Sequence, residues 1–245
     1  MDSFADEAIR RYLDDAFAGS DFAGSDTDSI ANALQSYLGE VLEANKRINL
    51  TRIEDSSSAK LLHIEDSLSG LPELMKAPEG DYVDLGSGGG FPGVPLALAS
   101  GRKTLLVDSV KKKMAAVQGI LDTLGFSGQI RTYDGRIEDL AKDCPGRFSA
   151  ATARALSKLP SLLELASPLL KRNGMLICYK SHISEDERAA ALKIQTYLGM
   201  KLVSERKFLL SDGETVRDIV VLQKVKEPGL KLPRRIGLAQ KKPLA

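Results

Sequence analysis

Short apolar runs alternate with stretches of helical periodicity from about residue 80 to residue 224. Such alternation predicts an α/β domain whose mostly parallel sheet carries helices on both faces. The predicted strands are 81–85, 103–108, 129–133, 147–152, 174–180, 200–209 and 216–224. The predicted helices between them are 92–100, 110–125, 136–142, 158–171 and 184–198. Only Ser211-Asp212-Gly213-Glu214 separates the last two strands, so we expect the seven-stranded sheet to end in an antiparallel hairpin.

The first 70 residues lack this alternation and predict a helical extension. Apolar side chains recur at helical spacing in 2–17, 30–45 and 55–69. A tandem Phe-Ala-Gly-Ser-Asp pair is rich in turn-forming residues and predicts a mobile loop near 18–29. We therefore divide the chain into the extension (1–70), a main domain (71–225) and a basic tail packed on that domain (226–245).

The composition favours a globular protein without membrane segments. The chain has 245 residues, of which 43% are hydrophobic and 27% charged. No stretch approaches the roughly 20 apolar residues of a membrane helix, and the acidic N-terminus does not resemble a secretory signal. Cys144 and Cys178 belong to no CxxC motif or Cys/His cluster, so no metal site is predicted, and Cys178 is expected to be a buried thiol. We therefore expect a cytoplasmic protein, and a monomer.

Charge is unevenly distributed along the chain. The net charge is +1, yet residues 1–30 hold eight acidic and two basic residues. The remainder is therefore distinctly basic, and 224–245 alone hold seven basic residues and one glutamate. Segregated basic charge of this kind is compatible with a nucleic-acid partner.

A glycine-rich loop follows the first predicted strand of the main domain. Residues 82–93 read Tyr-Val-Asp-Leu-Gly-Ser-Gly-Gly-Gly-Phe-Pro-Gly, with a strand ending at Leu85 and a helix beginning near Pro92. Glycines allow a ligand to approach the backbone, and a helix N-terminus attracts negative charge. Asp108 ends the next predicted strand, where an acid can hold a ribose diol. Both a nicotinamide dinucleotide and S-adenosylmethionine carry such a ribose.

Three details favour S-adenosylmethionine over the dinucleotide. Asp84 lies two residues before the first glycine, close to the expected amino-acid end of the ligand. The polar cluster 134–139 follows the third predicted strand, where an adenine would lie, and the sheet ends in a reversed hairpin. The alternative, that the glycines only form a tight turn, leaves the downstream acid unexplained.

The segment Asp84-Leu85-Gly86-Ser87-Gly88-Gly89-Gly90-Phe91-Pro92-Gly93 resembles the signature loop of the ribosomal RNA small subunit methyltransferase G family, also called glucose-inhibited division protein B. Further motifs match in the same order: Asn49-Leu50-Thr51, His63-x-x-Asp66-Ser67, Leu106-x-Asp108-Ser109, Gly135-Arg136-x-Glu138, Ala153-Arg154-Ala155, Lys180 and Pro233-Arg234-Arg235-x-Gly237. The resemblance covers roughly residues 37–245. Gly89 and Ser181 depart from the family's pattern, and the acidic N-terminal insertion is not typical of it.

The resemblance implies a class I methyltransferase of Rossmann-like fold that uses S-adenosylmethionine to methylate N7 of a guanine in the 530 loop of 16S ribosomal RNA, guanine 527 in the family's usage. Naked rRNA and the assembled 30S subunit are both open as substrates. Carried over by motif, the cofactor contacts are Gly86, Phe91, Ile137, Glu138 and Arg154. Asp84, Ser87, Gly88 and Asp108 are added on physical grounds.

Candidate catalytic residues are few because guanine N7 has a free lone pair and needs no general base. Positioning against the methyl group is then the main requirement. Arg154 and Lys180, which follow predicted strands, are the candidates for holding ligand, base or phosphate. His63 is a candidate brace on the substrate side.

The tail interleaves basic and apolar residues. We expect its Pro and Leu residues to dock on the domain while Arg234 and Arg235 face rRNA phosphates; the alternative is a tail that only caps the fold.

Three other functions stay open at this point. A methyltransferase acting on another RNA, a small molecule or a protein would share the loop. An NAD-dependent oxidoreductase would need a second, substrate-bearing half, and a non-enzymatic RNA-binding module would not need Asp84, Asp108 and Glu138 around a glycine loop.

Overall fold

The computed structural model describes residues 2–17, 26–53 and 55–244. Its centre is one seven-stranded sheet in the order β3-β2-β1-β4-β5-β7-β6. The strands are β1 (Tyr82–Leu85), β2 (Thr104–Val107), β3 (Ile130–Tyr133), β4 (Phe148–Arg154), β5 (Leu170–Lys180), β6 (Met200–Leu209) and β7 (Val216–Lys224). The first five strands are parallel, whereas β7 and β6 run antiparallel at one edge. The predicted Rossmann-like α/β fold and its edge hairpin are confirmed. The strand order reverses between β1 and β4, where sheets of this type bind ligands.

Helices cover both faces of the sheet. They are α1 (Asp2–Phe17), α2 (Thr27–Asn45), α3 (Ser56–Ala59), α4 (Asp66–Leu68), α5 (Leu71–Met75), α6 (Gly93–Ser100), α7 (Lys111–Thr123), α8 (Ile137–Asp143), α9 (Leu159–Ala166), α10 (Glu185–Gln195) and α11 (Leu238–Lys241). A π-helix, Lys60–Glu65, joins α3 to α4, so the single helix predicted at 55–69 contains a turn with i→i+5 hydrogen bonds. Single π-turns inside helices are frequent at functional sites.

One boundary differs clearly from its prediction. The helix expected to reach residue 171 ends at Ala166, and β5 begins at Leu170 instead of residue 174. Leu170 pairs with Phe148, after which the register shifts, and Asn173 takes a φ of 66°. Leu169 and Leu170 continue the helical apolar pattern, but an irregular strand start buries them instead.

The N-terminal helices pack on other helices at one face of the sheet, α1 on α5 and the π-helix, and α2 on α6 and α7. Leu13 and Leu34 are fully buried in the same cluster as residues of the main domain. Burial of each such side chain contributes about 1.5–3 kcal/mol. Asp26 caps α2 by accepting the Ser29 N–H at 3.0 Å. The helix thus begins inside the segment predicted as a loop, whose residues 18–25 lie outside the described part of the chain.

The opposite face of the sheet carries α8, α9 and α10 together with the tail. Cys178 lies there as a fully buried thiol, as predicted, and burial raises its pKa to about 12. Across the described residues, no helix has the length and apolar character needed to cross a membrane.

Candidate active site

The glycine loop leaves the end of β1 at the point where the strand order reverses. Gly86 and Ser87 donate their backbone N–H groups to the Val107 carbonyl of β2, at 2.8 and 3.0 Å. Gly90 has a φ of 86°, and a Cβ there would collide with the Tyr37 hydroxyl. That hydroxyl donates to the Gly89 carbonyl at 3.0 Å. The loop therefore closes tightly against α2, and only glycine permits this approach.

Asp84 lies behind the loop. It is fully buried; its Oδ2 accepts the Gly93 N–H at 3.1 Å and its Oδ1 accepts the Thr152 hydroxyl at 2.6 Å. Burial raises the pKa of this carboxyl. The sequence suggested a contact with the ligand's amino-acid end. In the structure both oxygens of Asp84 tie the loop to α6 and β4, and the contact with the ligand stays a prediction.

A cavity of about 100 Å³ opens in front of the loop, and we call it the glycine-loop cavity. Four predicted cofactor contacts line it together: Gly86, Asp108, Ile137 and Glu138. The Asp108 carboxylate accepts the N–H of Gly88 at 3.0 Å and that of Val110 at 2.9 Å. Apolar Val107, Leu156 and Leu165 form part of the same wall.

A second cavity, of about 340 Å³, lies at the ends of β4 and β5, and we call it the arginine cavity. His63, Arg154 and Lys180 line it, so the structure brings these three predicted residues together. The segment 154–157 lies between the two cavities, because Leu156 lines the first and Arg154 the second. Ala155 between them has a φ of 53°, a left-handed conformation that is uncommon for residues other than glycine.

Arg154 is held firmly at the boundary between the cavities. Its Nη1 donates to the Leu62 carbonyl at 2.9 Å and to Asp66 Oδ2 at 3.0 Å. The other oxygen of Asp66 accepts from Arg217 Nε at 2.9 Å. Asp66 is 3% exposed, so one buried carboxylate orients two guanidinium groups toward the cavity.

Lys180 is paired rather than free. Its Nζ lies 2.7 Å from Glu187 Oε1 and donates to the Ser157 carbonyl at 3.2 Å. The side chains of Lys180 and Glu187 are 13% and 9% exposed. The ammonium group is thus fixed at the cavity wall, and any contact with a phosphate or base would have to compete with Glu187.

His63 stacks on Phe91, with ring centroids 4.4 Å apart and planes 7° from parallel. Its Nε2 lies 2.8 Å from the Thr51 hydroxyl. Burial, with Arg154 as a smaller cause, lowers the His63 pKa to about 4. The ring is therefore neutral at physiological pH. Phe91, a predicted cofactor contact, is buried beneath it and does not face the glycine-loop cavity.

This lowered pKa predicts a loss of stability in acid. At pH 7 the imidazole is neutral in both folded and unfolded chains. Below pH 6.5, the pKa of an unperturbed histidine, His63 is protonated in the unfolded chain. In the folded protein it stays neutral down to about pH 4. Stability should therefore fall across this window by up to about 3 kcal/mol, an effect that His63→Gln abolishes. Urea denaturation at several pH values measures it, and identical pH profiles for the two proteins would disprove it.

The tail packs on the domain through a buried ion pair. Arg234 Nε and Nη2 donate to the two carboxylate oxygens of Glu164, both at 2.6 Å, and Nη2 also donates to the Lys242 carbonyl at 2.8 Å. Glu164 is 2% exposed. Arg234, predicted to face rRNA, is directed inward to this carboxylate, whereas Arg235 is exposed.

Several residues of the site were not singled out from the sequence. Three of them are the charged partners of Asp66, Lys180 and Arg234, namely Arg217, Glu187 and Glu164, and none of the three belongs to a recognised motif. The fourth is Gln240 of the tail, which lines the glycine-loop cavity. Thr51 did belong to a quoted motif, but nothing in that motif indicated its contact with His63. Within residues 2–17, 26–53 and 55–244, no group of three or more His, Cys, Asp or Glu side chains is arranged to hold a metal ion.

Solved structures with the same fold include the S-adenosylmethionine-dependent methyltransferase from Methanosarcina mazei. It aligns with a TM-score of 0.51 at 13% identity, over 64% of this chain and 98% of that one. The cyclase SpnF aligns with a TM-score of 0.52 at 12% identity, over 66% and 81% of the two chains. At these identities the likeness concerns the fold alone.

Sequence relatives are much closer. The chain is 33% identical to ribosomal RNA small subunit methyltransferase G of Alkaliphilus oremlandii, over 89% of this chain and 92% of that protein. It is 35% identical to the proteins of the same name from Synechococcus elongatus (83% and 86% covered) and Streptococcus thermophilus (86% and 90% covered). The model of the GidB family, described as rRNA small subunit methyltransferase G, matches residues 30–214. The chain that forms these two adjoining cavities belongs to the rRNA small subunit methyltransferase G family.

Proposed function

We propose that the protein uses S-adenosylmethionine to methylate N7 of a guanine in the 530 loop of 16S ribosomal RNA. The observation that carries this proposal is the family match over residues 30–214. It is supported by relatives that are named as small-subunit rRNA methyltransferases and that align over most of their length. The two adjoining cavities supply separate places for a cofactor and for a target base.

The glycine-loop cavity suits S-adenosylmethionine chemically. Asp108 presents a carboxylate that accepts hydrogen bonds from a ribose diol, and Ile137, Leu156 and Leu165 offer apolar surface to an adenine. Bound there, the cofactor supplies a methyl group made electrophilic by its sulfonium. Gly86 lets the ligand lie directly on the loop, on the side that faces the segment 154–157.

Residues of the arginine cavity orient the base rather than deprotonate it. Guanine N7 attacks through an existing lone pair, so no proton has to leave before the methyl group transfers. His63 stays neutral and stacked, and the carboxylates of Asp66 and Glu187 are each engaged by cations. Arg154, fixed by Leu62 and Asp66, then aligns the base with the methyl group.

The RNA partner fits the charge of this surface. Arg154, Lys180 and Arg217 line the cavity, and Arg235 is exposed on the tail. A single-stranded rRNA loop can present an unstacked guanine to such a cavity.

We further propose that the protein acts as a cytoplasmic monomer. The division into an extension (1–70), a domain (71–225) and a tail (226–245) stays a prediction.

Incubation with methyl-labelled S-adenosylmethionine tests the substrate class. Naked 16S rRNA, 30S subunits and an RNA-free cell extract are compared as acceptors. Label in either RNA sample supports the proposal and shows which form is the substrate. Label confined to protein or small molecules of the extract would instead support the competing function, a methyltransferase that acts on another class of molecule.

Asp108→Ala should weaken cofactor binding about 10–100-fold. The variant would lose the charge-assisted hydrogen bonds from the ribose to this carboxylate, together worth about 1.5–3 kcal/mol. Calorimetry with S-adenosylhomocysteine measures the change. Asp134→Ala is a matched control, because Asp134 follows β3 but does not line the cavity. Unchanged affinity in Asp108→Ala would remove this residue from the site.

A further inference from the structure

The C-terminal tail reaches across the domain to the glycine-loop cavity. Gln240 of α11 lines that cavity beside Arg136 and Ile137, which follow β3. Gln240 lies more than a hundred residues beyond them in the sequence, so the tail completes a wall that the sheet and its loops leave open.

Independent contacts hold the tail in this position. The Glu138 carboxylate, 7% exposed, accepts the Gly237 N–H at 2.6 Å. Arg234 joins Glu164 on α9 to the Lys242 carbonyl. Ala239 is buried at 3% exposure among the side chains of α8 and α9. These contacts bracket Gln240 on both sides along the chain and fix its backbone at the cavity rim.

Glu138 itself lines the cavity and also anchors the tail, while its predicted contact with the cofactor stays a prediction. Its side chain is engaged with the tail backbone, and it is the tail that carries a further polar side chain to the cavity. The tail in this position therefore forms part of the cavity wall.

We infer that the tail is part of the cofactor site and that the side-chain amide of Gln240 binds the adenine base of S-adenosylmethionine. This inference rests on the proposed function. Asp108 and the glycine loop take the ribose and methionine portions, which leaves the wall formed by Ile137, Leu156 and Gln240 for the base. A carboxamide offers one donor and one acceptor side by side, the pattern that complements an adenine edge. Because adenine is neutral, a neutral amide matches it without an uncompensated charge.

Calorimetry with S-adenosylhomocysteine tests the contact. Gln240→Ala should bind it about 3–10-fold more weakly than the parent protein, as expected for one or two neutral hydrogen bonds. Gln223→Ala, the same substitution on β7 away from the cavity, should bind normally. Since Gln240 is exposed, Gln240→Ala should keep the parental melting temperature.

An analogue lacking the adenine 6-amino group separates base recognition from a general effect. The parent should bind this analogue more weakly than S-adenosylhomocysteine, and Gln240→Ala should lose little further affinity for it. Equal losses for both ligands, or an unchanged affinity of Gln240→Ala for S-adenosylhomocysteine, would overturn the inference. A parent protein that binds neither ligand would instead refute the proposed cofactor.

Docking of the tail has its own test. Glu138→Ala removes the acceptor of the Gly237 N–H and should weaken S-adenosylhomocysteine binding at least as much as Gln240→Ala. Combining the two substitutions should add little, because Gln240 no longer lies at the cavity when the tail is released. Fully additive losses would show that Gln240 acts independently of the docked tail and would contradict this part of the inference.

Discussion

Arg154→Ala should lower the rate of methyl transfer to rRNA by about 100-fold or more. Arg154 lies between the two cavities and is oriented by Leu62 and Asp66, so its loss removes the group that aligns base and methyl donor. A displacement of about 1 Å in such an arrangement is enough for an effect of this size. Single-turnover assays at saturating cofactor measure it.

The folded state should survive this substitution. Asp66 keeps its ion pair with Arg217 and is not left as an unpaired buried charge. His63→Ala serves as the comparison and should reduce the rate less, because N7 needs no base. A parental rate in Arg154→Ala would refute the alignment role, and complete loss of activity in a folded His63→Ala protein would refute the base-free mechanism.

Arg234→Ala should destabilise the protein by about 3–5 kcal/mol. Glu164 is 2% exposed and its carboxylate would be left buried without its cation. Urea denaturation measures the loss. The double variant Arg234→Ala/Glu164→Ala should be less unstable than Arg234→Ala, because no unpaired charge remains.

Arg235→Ala is the matched control on the neighbouring exposed residue. Its stability should change by no more than about 0.5 kcal/mol. If Arg235 contacts an rRNA phosphate, the slope of log affinity against log salt should flatten by about one unit or slightly less. A stability of Arg234→Ala equal to that of Arg235→Ala would show that the buried ion pair does not hold the tail.

Much of the fold could be predicted because its signals are local. The strands β1, β2, β5 and β7 each contain a short apolar run, and the glycine loop with Asp108 lies within one continuous stretch from β1 through α6 to the end of β2. The start of β5 was missed because Leu169 and Leu170 also satisfy helical periodicity. The π-turn at 60–65 could not be predicted for a similar reason, because the spacing of its apolar residues differs little from that of an α-helix.

The partners of the site's cations could not be predicted in the same way. Arg217 lies 151 residues from Asp66, and Arg234 lies 70 residues from Glu164. A single sequence shows that such charges exist but not which of them the packing brings together. For this reason the sequence predicted that Arg234 and Lys180 could contact rRNA. In the structure Arg234 is paired with Glu164, and Lys180 with Glu187.

Identification of the methylated nucleoside tests the central claim most directly. 16S rRNA or 30S subunits are incubated with the protein and methyl-labelled S-adenosylmethionine, and the RNA is digested to nucleosides and separated by chromatography with mass detection. We expect the label in 7-methylguanosine, at no more than one methyl group per rRNA, and its near absence with Arg154→Ala. Label in a different nucleoside, or in 7-methylguanosine to the same extent with both proteins, would contradict the account.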